Sequence, residues 1–133
     1  MDISKYAAFF HDGSIMDVQH QGDKIEFFMA SAEMAEEDLE DDIALSRDES
    51  IQGKLCLEGI ISVAIGDKPF KGTVKKAYDN GRIFDFEVTK STVELSVEWV
   101  NFPPKPEENV FSVIKIEAEK IWWENIPDLE GSI

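Results

Sequence analysis

The side chains with the greatest capacity for chemistry lie in an acidic segment, residues 33–49, which holds nine carboxylates and a single cation, Arg47. Clustered carboxylate oxygens suit calcium, but an EF-hand loop needs alternating acidic positions, a glycine turn and a terminal glutamate. That spacing is absent, so the segment indicates a solvated loop or a contact surface for a basic partner, with a metal site as the weakest alternative. The candidate partner-binding residues are Glu36, Glu37, Asp38, Glu40, Asp41 and Asp42.

A second candidate is the pair His11-Asp12, whose residue types are those of an acid–base catalyst. The equivalent positions in a second copy of the same motif, described below, hold Asp79-Asn80. Asp and Asn cap backbone amides in turns, so a turn motif explains both copies. An enzyme that uses His11 with Asp12 or Asp79 is the alternative, but hydrolase, nucleotide and zinc motifs are absent from the sequence. We therefore predict a protein that is not an enzyme and that uses no metal and no cofactor.

Four other side chains are open to a structural and a functional interpretation. His20 occupies an apolar-phase position, which favours a core or half-buried histidine over a metal ligand. Cys56 is the single cysteine, so it forms no intrachain disulfide, and its apolar segment predicts a packed thiol in a reducing compartment.

Trp122 and Trp123 are adjacent, so they point to opposite faces of a strand. We expect the outward ring to lie beneath the C-terminal tail, an exposed contact residue being the alternative.

Composition limits the class of protein. The chain has 133 residues, of which 43% are hydrophobic, and this predicts a single folded domain, 1–133, with a real core. The formal net charge of −15 repels nucleic acid and anionic membranes and attracts basic partners, or simply maintains solubility. Neither a signal peptide nor an apolar run of about 20 residues occurs. We expect a soluble, cytoplasmic protein.

An internal repeat is the most informative feature of the sequence. Aromatic, glycine, isoleucine and acidic positions recur in register in two halves of the chain. The matching segments are 10–18 with 78–86 and 25–29 with 93–97 at an offset of 68, and 55–59 with 114–118 at an offset of 59. We predict two half-repeats, approximately 10–66 and 78–126, each with a hairpin followed by a long strand.

The elements that must position these side chains are mostly strands. Apolar and polar residues alternate with a period of two in both halves, as in strands with one buried face. The long apolar segments 51–65 and 110–123 predict long strands, with a bulge or bend near Gly59. The expected fold is mainly β: a pseudo-two-fold β-sandwich or partly open barrel of about eight antiparallel strands. A short helix capped by Ser4 and ending at Phe10 precedes it.

The alternation also predicts which strand residues are buried. The expected core residues of the two hairpins are Phe27, Met29, Phe84, Phe86, Leu95 and Val97. The segment from Met34 to Leu45 is only loosely periodic, and its like charges repel one another. We expect a partly mobile loop or a frayed helix there.

The sequence resembles a set of small bacterial proteins in three features. These are the opening Phe-His-Asp-Gly-Ser-Ile at 10–15, a hairpin after it, and then Leu-x-Leu-Glu-Gly-Ile at 55–60. The bacterial proteins are identified as immunity proteins of polymorphic toxin systems or as proteins of unknown function. The resemblance implies a cytoplasmic bacterial protein that binds and blocks a toxin domain, and it implies no catalytic residues. The acidic segment and the Pro103-Pro104 loop lie outside the shared pattern.

These observations predict a non-enzymatic acidic binding protein, most concretely an immunity-type inhibitor of a basic toxin domain. Nuclease toxins present basic clefts, in which a carboxylate-rich loop can take the place of phosphate. The alternative is a small-ligand or carbohydrate-binding β-domain, which needs a concave apolar pocket with a few polar groups.

Overall fold

The computed structural model of the protein describes residues 2–129, which form seven strands and two short 3-10 segments. The N-terminal 3-10 helix spans Ile3–Phe10, and a single 3-10 turn spans Glu36–Asp38. The strands are β1 (Ser14–Gln21), β2 (Lys24–Ala30), β3 (Gln52–Ile65), β4 (Lys68–Pro69), β5 (Asn80–Val88), β6 (Thr92–Val100) and β7 (Asn109–Asn125).

All seven strands belong to one antiparallel sheet with the order β2-β1-β5-β6-β7-β3-β4. Because β2 also pairs with β3, six of the described strands form a ring of hydrogen bonds, and β4 lies outside the ring beside β3. The prediction of a mainly β, antiparallel fold with a short N-terminal helix is confirmed, with seven strands where about eight were expected. Asp2, and not Ser4, caps the helix: its carboxylate accepts the Ser4 amide at 3.0 Å.

Neighbouring strands of the ring differ widely in how many residues they pair. Strands β1 and β5 meet only at Ser14↔Arg82 and Ile15↔Gly81. Strands β3 and β7, in contrast, pair from Gly53↔Asn125 to Ile65↔Ile114. The predicted bend is present in β3, where the register shifts between Ile60 and Ser62 and Gly59 has a φ of +72°. This bend lets one long strand pair with β2 at its beginning and with β4 at its end.

The two hairpins, β1–β2 and β5–β6, share one register. In each, a residue is left out of the cross-strand pairing: Met16 in the first hairpin and Phe84 in the second. The next residue, Asp17 or Asp85, accepts the following backbone amide at 2.9 or 3.0 Å. These equivalent bulges are 68 residues apart, the same offset as in the sequence.

The bulge explains one wrong prediction. Phe27, Met29, Phe86, Leu95 and Val97 are buried as expected. Phe84 is only half-buried, because the extra residue at the bulge changes the strand phase and sends Ile83 into the core instead. The Phe84 ring lies outside, with its centroid 5.3 Å from that of Phe111.

The N-terminal helix supplies aromatic rings to the core. Tyr6 and Phe10 are fully buried on its inner face. The Phe10 ring makes edge-to-face contacts with Phe86, at 5.2 Å between centroids, and with Trp123, at 5.6 Å. Because Phe86 lies on β5 and Trp123 on β7, Phe10 ties the N-terminal helix to the strands of the second half through apolar contact.

Within residues 2–129, neither helical segment is long and apolar enough to cross a membrane.

We predict that Phe86→Ala lowers the free energy of unfolding by about 3–5 kcal/mol, because it removes a buried ring. Phe84→Ala is the matched control: the same atoms are lost two residues away, at a half-buried position, and we expect a loss below about 1.5 kcal/mol. Urea titration measures both. Equal losses would contradict the assignment of the two faces of β5.

Candidate partner-binding surface

The acidic segment 33–49, called here the acidic loop, connects β2 to β3. All six carboxylates proposed as partner-binding residues belong to exposed residues of this loop. The only regular structure in it is the turn Glu36–Asp38, where the Asp38 carboxylate accepts the Ala35 amide at 3.1 Å. The alternative of a frayed helix is therefore wrong. A helix would place like charges one turn apart, whereas the irregular loop lets them diverge.

Tyr6 holds the centre of the acidic loop. Its ring is 1% exposed, and its hydroxyl lies where the loop crosses the N-terminal helix. The hydroxyl accepts the amides of Glu40 and Asp41 at 3.0 and 3.1 Å and donates to the Asp41 carboxylate at 2.9 Å. One buried hydroxyl therefore uses its donor and both acceptor sites on a single surface loop.

Apolar contacts and two further hydrogen bonds fix the ends of the loop. Met34 is buried, and Leu39, Ile43 and Leu45 pack half-buried against the core. The Met34 amide donates to the Glu49 carbonyl at 2.9 Å, which closes the base of the loop. On the far side, the Asn125 side chain donates to the Ala44 carbonyl at 2.9 Å. The loop is thus anchored at its base, its centre and its edge.

The charges of the acidic loop are not neutralised by the rest of the protein. Among the residues that the structure describes, none of the six candidate carboxylates forms an ion pair. Some lysines elsewhere are paired: Lys54 lies 3.1 Å from Glu26, and Lys105 lies 2.5 Å from Asp79. The loop therefore presents unpaired negative charge from an anchored backbone, an arrangement that suits a cationic surface.

His11 and Asp12 form a structured turn. The Asp12 backbone has a φ of +66°, and its amide donates to the Ile83 carbonyl at 2.8 Å. The Asp12 carboxylate lies 3.0 Å from Arg82, and this hydrogen bond lowers the pKa of Asp12 below its ordinary value. His11 Nδ1 lies 2.6 Å from the Phe84 carbonyl, so this nitrogen carries a proton and donates it. Both side chains join the turn to β5.

The equivalent turn in the second half uses its aspartate differently. The Asp79 carboxylate is bound by Lys105 and accepts the Phe102 amide at 2.8 Å. These two contacts lower the pKa of Asp79, Lys105 making the larger contribution. The expected capping of a backbone amide is thus seen at Asp79, whereas Asp12 binds a guanidinium.

The single cysteine is sheltered on the outer face of the sheet. Cys56 is 1% exposed, and burial together with the nearby Glu26 carboxylate raises the pKa of its thiol to about 11. A thiol with such a pKa is almost entirely protonated near neutral pH, and the thiolate is the nucleophilic form. The prediction of a packed thiol agrees with this environment.

Trp122 and Trp123 point to opposite faces, as adjacent strand residues must. Trp123 is buried, whereas Trp122 is 38% exposed, as in the alternative of an exposed contact residue; the end of the C-terminal tail, residues 130–133, lies outside the described residues. The Trp122 ring is accompanied by Lys24, whose Nζ lies 5.9 Å from its centroid. Exposed tryptophan is typical of binding surfaces.

Sequence reasoning missed Tyr6, the residue that positions the acidic loop. No local pattern marks it, because its partners lie 34 and 35 residues further along the chain. It also missed the contact between half-buried Phe84 and exposed Phe111, which the bulge in β5 brings together. Within residues 2–129, the structure contains no group of three His, Cys, Asp or Glu side chains that could hold a metal ion.

No protein-family model matches the chain, and comparison with curated proteins and with solved structures finds no similar protein.

We predict that Tyr6→Phe costs about 1–3 kcal/mol in the free energy of unfolding, because two amides lose their acceptor while the ring stays in place. Amide exchange at Glu40 and Asp41 should accelerate more than at core amides. Tyr78→Phe is the control, since that hydroxyl does not contact the acidic loop. Unchanged exchange at Glu40 and Asp41 in Tyr6→Phe would show that other contacts hold the loop.

Proposed function

We propose that this protein is a non-enzymatic binding protein that uses its acidic loop to bind a basic protein, as an immunity-type inhibitor of a basic toxin domain. The observation that supports this proposal best is the Tyr6 anchor beneath a loop with six exposed carboxylates, none of which forms an ion pair within residues 2–129. A loop needed only for solubility has no requirement for three hydrogen bonds to one buried hydroxyl. The proposed site in the cell is the cytoplasm, where such an inhibitor would protect its host.

Anchoring the loop favours binding for an entropic reason. A mobile loop loses conformational freedom when a partner orders it, and this loss weakens binding. Here the loop backbone is already ordered before a partner binds. Three contacts order it: the Tyr6 hydroxyl, the closed base at Met34 and the hydrogen bond from Asn125. The partner then has only to order side-chain rotamers. The net charge of −15 adds long-range attraction that speeds encounter with a basic surface.

In this proposal both histidines have structural roles, because each binds the backbone of a distant segment. His11 Nδ1 donates to the Phe84 carbonyl, and His20 Nδ1 accepts the Val74 amide at 2.8 Å. Each imidazole thereby joins one segment of the fold to another.

A small-ligand or carbohydrate-binding function is the second candidate. A groove of about 520 Å³ lies among β3, β4, β6, β7 and the end of β5. Ser62, Thr92, Glu94 and Lys115 supply polar groups beside the apolar side chain of Pro69. The volume falls within the range of about 300–1,000 Å³ that ligand pockets occupy. This candidate predicts that neutralising the acidic loop leaves ligand binding unchanged.

The test compares two proteins of equal net charge. One variant neutralises the loop with Glu36→Gln, Glu37→Gln, Glu40→Gln and Asp42→Asn, and it spares Asp41, which binds Tyr6. The control neutralises four exposed carboxylates elsewhere: Glu58→Gln, Asp67→Asn, Glu107→Gln and Glu119→Gln. The partner captured by the wild type from its source cell is purified, and binding kinetics are measured with both variants at low and high salt.

We expect the loop variant to associate about tenfold more slowly at low salt, with a smaller change in dissociation rate, because rim charges act mainly on encounter. The control should associate at close to the wild-type rate, and high salt should reduce the difference between the variants. Equal association rates for wild type and loop variant at low salt would refute the proposed role of the acidic loop. If association slows equally in both variants, the effect arises from net charge alone and not from the position of the acidic loop.

A further inference from the structure

The connection from β4 to β5 is hydrogen-bonded to one histidine of β1. Residues 71–79, called here the crossover, have no helix or strand. Within the described part of the chain, the crossover backbone makes a single hydrogen bond: the Val74 amide donates to His20 Nδ1 at 2.8 Å. His20 lies on β1, 54 residues earlier, and is half-buried.

The crossover closes a gap in the ring. Strands β1 and β5 pair only at Ser14 and Ile15 of β1, so the rest of their facing edges is unpaired. Val74 is 2% exposed and belongs to the hydrophobic core, so its side chain is buried by the same approach that forms the His20 bond. Lys76 also ties the crossover to β1: its Nζ lies 3.5 Å from the Met16 carbonyl and 4.0 Å from the Asp17 carboxylate, and these exposed contacts are correspondingly weak.

The bond requires one protonation state of His20. An amide can only donate, so Nδ1 must carry a lone pair and the proton of the neutral ring must be on Nε2. A second proton would occupy Nδ1 and remove the acceptor. His11 has the opposite arrangement: its Nδ1 already donates to the Phe84 carbonyl, and a second proton on Nε2 leaves that bond intact.

The surrounding charges do not offer the protonated ring a new partner. The charged residues of β1, the β1–β2 turn, β2 and the crossover are Asp17, Asp23, Lys24, Glu26, Lys71, Lys75, Lys76 and Asp79. The four carboxylates are engaged: Asp17 with Lys76, Asp23 with the Ile60 amide, Glu26 with Lys54 and Asp79 with Lys105. The crossover itself brings three lysines, which repel an imidazolium.

We propose that His20 is a pH-sensitive latch: protonation of Nδ1 releases the crossover from β1 and opens the core beside Val74. The latch is closed while the imidazole is neutral and opens when the ring takes up a second proton. Its effect is local, because β1 remains paired with β2 along its whole length. The acidic loop lies elsewhere in the fold, so this proposal does not depend on the proposed function.

The experiment measures amide exchange at Val74 by NMR at about pH 7.5 and about pH 5, corrected for the intrinsic pH dependence of exchange. In the wild type we expect protection at Val74 to fall about tenfold or more at the lower pH, while core amides such as Leu95 keep theirs. In His20→Gln the amide oxygen accepts the same bond without titrating, so protection should stay nearly constant. His11→Gln, the matched control, should keep the wild-type pH dependence.

A second variant keeps the proposal testable if Gln packs poorly. His20→Val places at this position the residue found at the equivalent position of the second half, Val88, and lacks an acceptor. It should show low protection at Val74 at both pH values. The proposal is overturned if wild-type protection at Val74 is the same at both pH values. It is equally overturned if His20→Gln retains the loss, or if Leu95 loses protection in parallel, which would indicate global unfolding.

Discussion

The pairing of β3 with β7 is the interaction on which the rest of this fold depends, because each hairpin is attached to only one of these two strands. Strand β2 pairs with β3 and β6 pairs with β7, whereas β1 and β5 meet at only two pairs of residues. The core between the hairpins therefore forms only while the long strands stay together. Leu55 and Trp123, paired across this ladder, are both buried. Phe10 ties the N-terminal helix to the strands of the second half by touching Phe86 and Trp123.

The strongly acidic composition is compatible with this core because the carboxylates lie outside it. Some of them are neutralised locally: Lys54 lies between Glu26 and Glu124, at 3.1 and 3.6 Å, and its hydrogen bond to Glu26 raises the pKa of the lysine. Those of the acidic loop are left unpaired, at a place where a buried tyrosine holds the backbone. Such separation leaves apolar burial to stabilise the fold. Under the proposed function, a cationic partner would relieve the repulsion among the loop charges.

Local pattern predicted much of the fold. Alternation with a period of two located the strands and five of the six expected core residues, because the two faces of a strand meet different solvents. The offset of 68 in the sequence recurs in the register of the two hairpins, including the bulges at Met16 and Phe84. The same bulge caused the wrong prediction for Phe84, since one extra residue reverses strand phase and leaves no mark in composition.

The sequence identified the carboxylates of the candidate site but did not show whether the loop that carries them is ordered. The carboxylates and their spacing were evident, and so was the absence of an EF-hand pattern. Whether they stand on an ordered surface was decided by Tyr6, whose bonds to Glu40 and Asp41 span more than 30 residues. The closure of the ring and the bond between His20 and Val74 were likewise decided by tertiary structure. Local sequence sets which face of a strand is apolar, but a hydrogen bond between distant residues exists only once the whole chain has placed both atoms within about 3 Å.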